Sequence, residues 1–130
     1  MASPIRVLVA DDSELFRKSL CRMLFAEEPF EICGEAGDYA ELLKMLGETK
    51  PDVILMDIRM PYSGDMNAKT IKTQLSDSCL IALSFATDAE TIETAARFGA
   101  FTLLEKVNLV ETLFPAINEC LRQKGKSAFA

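Results

Sequence analysis

Asp57 closes the run Val53-Ile54-Leu55-Met56-Asp57, and Pro61 follows four positions later. Four consecutive apolar residues read as a strand buried on both faces, and such a strand has no folding reason to end in a carboxylate. The charge must lie at the sheet edge, be neutralised by a partner, or serve chemistry. Other polar residues fall in the same kind of place: Ile5–Ala10 ends in Asp11 and Asp12, the apolar run 79–83 ends in Ser84, and the run 101–104 is followed by Glu105 and Lys106. Carboxylates gathered at one site repel one another and hold on to protons unless a cation joins them. A hard divalent ion meets that need. Mg²⁺, with oxygen ligands and retained waters, suits an open acidic crevice better than zinc or iron does. With a lysine for fixed positive charge and a serine as neutral donor, these are the parts for transferring a phosphoryl group onto a carboxylate. Asp57, ending the central run, is the best-placed nucleophile.

Each signal has a blander explanation when taken alone. Asp12-Ser13 could be helix capping, Ser84 a strand-end hydroxyl bonded to backbone, and Lys106 a solvated surface lysine. The bland account then needs a separate coincidence at each of four strand ends.

The elements that must position these residues alternate strand and helix. Ile5–Ala10 is a β-rich run, and Ser13 caps a helix with Phe16, Leu20, Met23 and Leu24 inward and Arg17, Lys18 and Arg22 toward water, closed by Pro29. A second strand covers 30–34. Asp38 caps a helix carrying Tyr39, Leu42, Leu43 and Leu46, with Gly47 at its end. After the strand ending at Asp57 come a loop with Gly64 and a polar helix from about 67 to 75, burying Ala68, Ile71 and Leu75. Asp88 caps a helix with Ile92, Ala95 and Ala96, ended by Gly99. The last helix places Val110, Leu113, Phe114, Ile117 and Leu121 inward; Phe16, Phe98, Phe101, Phe114 and the leucines are assigned to the core. Proline inside that helix would cost about 3 kcal/mol, so Pro115 predicts a break or a late start with Thr112 as cap. Five strands alternating with five helices imply a three-layer α/β fold, a parallel sheet covered on both faces. The domain is expected over 1–123, with a frayed tail over 124–130.

Composition narrows the function. A chain of 130 residues supports one domain and one core, and 49% hydrophobic with 26% charged residues is ordinary for a globular protein. A net charge of −6 argues against nucleic-acid binding by this chain alone. There is no histidine, which excludes a histidine phosphocarrier, a His-dependent triad and a histidine-ligated zinc. Cys21, Cys33, Cys79 and Cys120 show no C-x-x-C pair and read as buried free thiols of a reducing cytoplasm. The first apolar run, stopped at once by two aspartates, is neither a signal-peptide core nor a membrane span.

Over residues 5 to about 123 the chain resembles the receiver domain of bacterial two-component response regulators. The resemblance rests on the acidic pair Asp11-Asp12, the D-x-x-M-P motif Asp57-Ile58-Arg59-Met60-Pro61, the hydroxyl of Ser84, and Lys106 behind Gly99-Ala100. It implies a flavodoxin-like, doubly wound sheet of order 2-1-3-4-5. It also implies a phosphoacceptor switch at Asp57, with Mg²⁺ held by Asp12 and Asp57, by Asp11 through water, and by the main-chain carbonyl of Arg59. Ser84 and Lys106 would contact the phosphoryl oxygens. The expected partners are a sensor histidine kinase or phosphotransfer protein, a downstream effector or a lost output domain, and a second copy through the last helices and strand. The expected setting is cytoplasmic. The only chemistry expected is self-directed phosphotransfer with slow self-dephosphorylation, so the chain is a signalling module rather than an enzyme.

Four positions depart from the family pattern. Val107 replaces the usual proline after the lysine, so the cis peptide common there should be absent, a non-proline cis bond costing roughly 2.5–4 kcal/mol; a looser Lys106 is then expected. Leu103 stands where an aromatic switch residue is usual. Phe85 follows Ser84 where a small residue is usual, with bulk enough to screen the site. The loop reaches Gly64 one residue early. These departures motivate a second class, a degenerate receiver acting as a phosphorylation-independent adaptor. A flavin carrier on the same fold is excluded by the Asp-Asp-Ser turn and the lack of tryptophan, and an external phosphatase lacks a D-x-D spacing at Asp57.

Overall fold

Strand-forming runs and amphipathic helices alternate along the chain as expected. The structure, a computed structural model, describes residues 3–61 and 68–125. Its elements are β1 (Ile5–Ala10), α1 (Glu14–Phe25), β2 (Phe30–Ala36), α2 (Tyr39–Thr49), β3 (Val53–Asp57), α3 (Ala68–Leu75), β4 (Cys79–Ser84), α4 (Ala89–Arg97), β5 (Thr102–Glu105), a 3₁₀ turn over Lys106–Asn108, and α5 (Leu109–Gln123). The five strands form one sheet in the order β2-β1-β3-β4-β5, every neighbouring pair parallel.

The period of two along each strand sorts the core into two layers. Val7, Val9, Val53, Leu55, Ile81 and Leu83 face α1 and α5, whereas Leu8, Ala10, Ile54, Met56, Leu80 and Ala82 face α2, α3 and α4. β1 and β2 slip register between Val7 and Leu8. Gly34 sits beside that irregularity, where a Cβ would lie 2.9 Å from Leu8 Cδ1, so no larger residue fits without displacing the β1 core.

Local chemistry starts and stops the helices. Ser13, Asp38 and Asp88 each accept a hydrogen bond from the amide three residues on, the N-caps expected of them. Gly99, with φ +81°, ends the α4 segment in a backbone conformation that side chains resist. Gly47 does not end α2. The helix runs on to Thr49, and Lys50 takes the left-handed conformation at its C-cap.

Several expectations fail, each for a physical reason. α5 is continuous from Leu109 through Pro115, so there is no late start at Thr112, whose hydroxyl instead donates to the Asn108 carbonyl one turn back. Pro115 lies on the exposed side, where the carbonyl it leaves without an amide partner can meet water, while Leu113, Ile117, Cys120 and Leu121 hold the buried face. The inward stripes of the last two helices hold at Leu113, Ile117, Leu121 and Ala95, but Val110, Ile92 and Ala96 are exposed, and Leu109 and Thr91 are buried beside the first two. Phe101 and Leu15 are also exposed. Cys79 and Cys120 are not free thiols. β4 packs against α5 and brings their Cα atoms to 6.0 Å, and the two residues form a disulfide, while Cys21 and Cys33 remain free and half-buried. Lys124, assigned to a frayed tail, donates from Nζ to the carbonyls of Ser76 and Ser78. The Gly64 loop and residue 67, like 126–130, lie outside the described residues.

Candidate functional site

Three strand ends in the middle of the sheet finish in the same local device. Asp11 Oδ1 accepts from the Ser13 amide at 2.8 Å, Asp57 Oδ1 from the Arg59 amide at 2.9 Å, and Ser84 Oγ from the Ala86 amide at 3.0 Å. Each side chain thus bonds the backbone two residues on and starts the turn that takes the chain out of its strand. In both aspartates this uses one carboxylate oxygen and leaves the other for a different partner.

That partner is Lys106. Its Nζ donates to Asp11 Oδ2 at 2.7 Å and to Asp57 Oδ2 at 3.1 Å. Strand alternation explains the meeting: Asp11 continues the Val7–Val9 side of β1, Asp57 the Val53–Leu55 side of β3, and Lys106 the Leu104 side of β5, all facing α1 and α5. All three are buried, Asp11 completely and Lys106 to within 8%. Asp12 is exposed and joins Asp11 and Asp57 in a group whose ligand oxygens lie within 4.8 Å of one another. Burial away from water raises the Asp11 carboxyl above its ordinary value, against the pull of Lys106 and the Ser13 amide, with the nearby Asp57 charge adding to the rise.

Every polar residue singled out from the sequence therefore sits at the carboxyl edge of the sheet, but not all in one contact. Asp11, Asp57 and Lys106 are bonded together, with Asp12 at their rim. Ser84 is 1% exposed and pairs with Glu105 in the β4–β5 register, one step past the Leu83 that faces Asp57; its own hydrogen bond turns back to Ala86. The Arg59 amide is fixed by Asp57, and its guanidinium donates to the Thr91 hydroxyl of α4 at 3.3 Å. Lys106 is not loosened by Val107. Among the described residues the cis peptide is Glu28–Pro29, so the bond after Lys106 is trans, and the lysine is held by two carboxylates.

Sequence reasoning missed three supports. Arg17, placed in solvent, donates to the Asp11 carbonyl at 2.8 Å and pairs with Glu35, itself also paired with Lys18 and held below the ordinary carboxylate range first by that bond. Tyr39, read as core, is fully buried and donates from its hydroxyl to the Ile58 carbonyl just after Asp57. Phe16, also read as core, lies with its ring centroid 4.3 Å from Lys106 Nζ. A helical residue five or six positions past the strand-end Asp11 comes back over that strand end after the first turn, a spacing that could have flagged Phe16 and Arg17.

The arrangement is a buried pocket with more carboxylates than cations, made of hard oxygen donors at a crevice of a parallel sheet. These donors fit a small divalent cation better than a soft metal, and they give a nucleophilic oxygen a positive neighbour.

Comparison with known proteins agrees. The response regulator receiver domain matches over residues 7–118. The transcriptional regulatory protein PdtaR of Mycobacterium tuberculosis is 35% identical over 116 residues, 89% of this chain and 56% of its own length. YxjL of Bacillus subtilis, a transcriptional regulatory protein, is 37% identical over 126 residues, 96% of this chain and 57% of its own. The chain thus spans a little over half the length of these relatives. Among solved structures, the response regulator domain of Thermotoga maritima CheB superposes with a TM-score of 0.78 at 29% identity, covering 92% of this chain and 97% of that one. The receiver domain of NarL from Mycobacterium tuberculosis gives 0.74 at 28% identity, covering 89% and 98%. The buried aspartates bonded to one lysine and the matched span of residues agree: the chain belongs to the receiver domains of two-component response regulators.

Proposed function

We propose that Asp57 accepts a phosphoryl group and that the chain uses it as a switch. The observation that carries this reading is the Lys106 ammonium shared between Asp11 and Asp57 in a buried pocket. A carboxylate oxygen of Asp57 attacks the phosphorus of a donor, an O–P bond forms, and the donor's bond to phosphorus breaks. Lys106 then exchanges its contact with Asp57 for a phosphoryl oxygen, and Ser84, at the next strand end, donates its hydroxyl to another. Tyr39 and the Arg59 amide hold the turn after Asp57, so the nucleophile does not drift during transfer.

Mg²⁺ fits the excess of hard oxygens; Asp11, Asp12, Asp57 and the Arg59 carbonyl would hold it, and when bound it neutralises charge on the incoming phosphate. Arg59 also touches Thr91, which offers a route from the loop after β3 to α4. With Leu103 in place of an aromatic switch residue, that route replaces the usual hydroxyl-to-aromatic relay in biasing the arrangement of α4, β5 and α5. The donor is a histidine kinase or phosphotransfer protein, the setting is cytoplasmic, and the chain catalyses nothing beyond its own loading and unloading. Because the chain covers little more than half of its transcriptional-regulator relatives, its output lies either in a further domain or in a separate effector.

Acetyl phosphate with Mg²⁺ tests the reading. The intact chain should gain one phosphoryl group, read by intact-protein mass, and Asp57→Asn should gain none. Unchanged mass of the intact chain, or equal labelling of the variant, refutes it.

A further inference from the structure

Lys106 has neighbours that the phosphoacceptor reading does not use. Its Nζ lies 4.3 Å from the centroid of the Phe16 ring on α1 and 5.1 Å from that of Phe85, just past the end of β4. The two rings meet edge to face, centroids 6.1 Å apart and planes at 66°. The lysine side chain is only 4% exposed, whereas Phe85 is 69% exposed. Core packing does not account for Phe85, since an aromatic ring so open to water stabilises little by burial. A ring face over an ammonium does account for it, because the quadrupole attracts the cation and the ring shields it from solvent.

We infer that Phe16 and Phe85 are positioning residues, an aromatic clamp that holds the Lys106 ammonium at the level of the Asp57 oxygen to be phosphorylated. This rests on the phosphoacceptor reading. When the phosphoryl group occupies Asp57, the lysine gives up its bond to Asp57 Oδ2 and must find a new oxygen without drifting toward water. The carboxylate of Asp11 anchors it on one side and the rings close the other. Two expectations about the departures from the family pattern change accordingly: Phe85 acts through the lysine rather than as a mere screen, and the lysine that Val107 was expected to loosen is held.

Beryllofluoride with Mg²⁺ mimics the phosphoryl group at equilibrium, so its half-saturating concentration reads the placement of Lys106 without the complication of water attack. Phe85→Leu keeps apolar bulk but removes the ring, and Phe85→Tyr keeps the ring. The leucine variant should need roughly three to ten times more beryllofluoride and the tyrosine variant about as much as the parent, the range a single cation–ring contact supports. In the free protein, ring currents should displace the Lys106 ε-methylene protons upfield, and Phe85→Leu should relax part of that displacement. Because Phe85 is exposed, its replacement leaves the core intact. A leucine variant that binds beryllofluoride like the parent, or ε-methylene protons at their unshifted position in the parent, overturns the clamp alone. A parent that does not respond to beryllofluoride overturns the phosphoacceptor reading beneath it.

Discussion

The two edges of the sheet use the same kinds of residue in opposite ways. At the carboxyl edge Asp57 and Lys106 are bonded together with Asp11, with Ser84 at the next strand end; at the amino edge stand Asp52, Ser78 and Lys124. There, Asp52 Oδ2 accepts from the Arg6 amide at 2.9 Å, the Ser78 hydroxyl donates to the Pro51 carbonyl at 2.7 Å, and Lys124 Nζ donates to the carbonyls of Ser76 and Ser78. Side chains at this edge close the backbone where strands begin, and the cation meets neutral carbonyls. At the opposite edge the cation meets carboxylates, which outnumber it and are buried. The amino edge has the economy of a structural closure. The carboxyl edge holds like charges together, an arrangement folding alone would not favour and one that chemistry on an anion requires.

The sharpest way to break this contrast is to remove one buried hydrogen-bond donor on each side. Lys106→Met keeps length and apolar bulk but leaves Asp11 and Asp57 facing each other in a buried pocket. Breaking a buried ion pair from one side costs roughly 3–5 kcal/mol, so the urea midpoint should fall steeply, and added Mg²⁺ should recover part of the loss. A midpoint equal to the parent's would show that the carboxylates do not depend on the lysine. On the amino edge the comparable single removal is Ser78→Ala, which leaves the Pro51 carbonyl unpaired in a buried setting. It should cost about 1–3 kcal/mol, again by urea denaturation, with no recovery by Mg²⁺.

How far these two edges were legible beforehand differs with the physics that builds them. The carboxyl edge could be read because strand alternation and uninterrupted apolar runs leave few explanations for Asp57, Asp11 or Lys106. The helix caps Ser13, Asp38 and Asp88 followed from similarly local rules, whereas the strand order came from the family resemblance. The amino edge was not legible, because its closures pair residues that only the finished fold brings near. Ser78 reaches Pro51 and Lys124 reaches Ser76, and Cys79 meets Cys120 from 41 positions away. In the first turns of α4 and α5 the inward position was misplaced by one residue, because Thr91 and Leu109 could not be separated from Ile92 and Val110 by pattern alone. Pro115 was misjudged because the cost of a helical proline depends on whether the carbonyl it leaves without an amide partner faces water, which only the packing decides.

A smaller effect, of opposite sign, distinguishes the edges by pH. Burial raises the Asp11 carboxyl above its ordinary value of 3.8, so the folded chain binds a proton there more readily than the unfolded chain. That preference favours the folded state below the ordinary value and is lost as pH rises through the raised one; at neutral pH the charged Asp11 is a cost. Asp11→Asn removes the buried charge and keeps Oδ1 as the acceptor for the Ser13 amide, while its NH2 takes the place of the Oδ2 that accepted from Lys106, which retains Asp57. The variant should be somewhat more stable than the parent at pH 7, and its advantage should shrink as the pH falls into the ordinary carboxylate range. Urea midpoints across that range check it, and a variant less stable than the parent at pH 7 would reverse the sign.

The smallest expected effect comes from Lys124→Ala, and its smallness is what the contrast requires. Lys124 is exposed, and it donates to two carbonyls that carry no net charge, so removing it strands no ion in the interior. Water replaces the lost bond at the exposed Ser76, and the long side chain regains its rotamer freedom. The net change should be below about 1 kcal/mol. It should also leave acetyl phosphate labelling of Asp57 unchanged, since the residue lies at the far end of the sheet. A loss comparable with that of Lys106→Met would mean that both lysines are structural closures, and the carboxyl edge would lose the asymmetry on which its assignment as the reactive end depends.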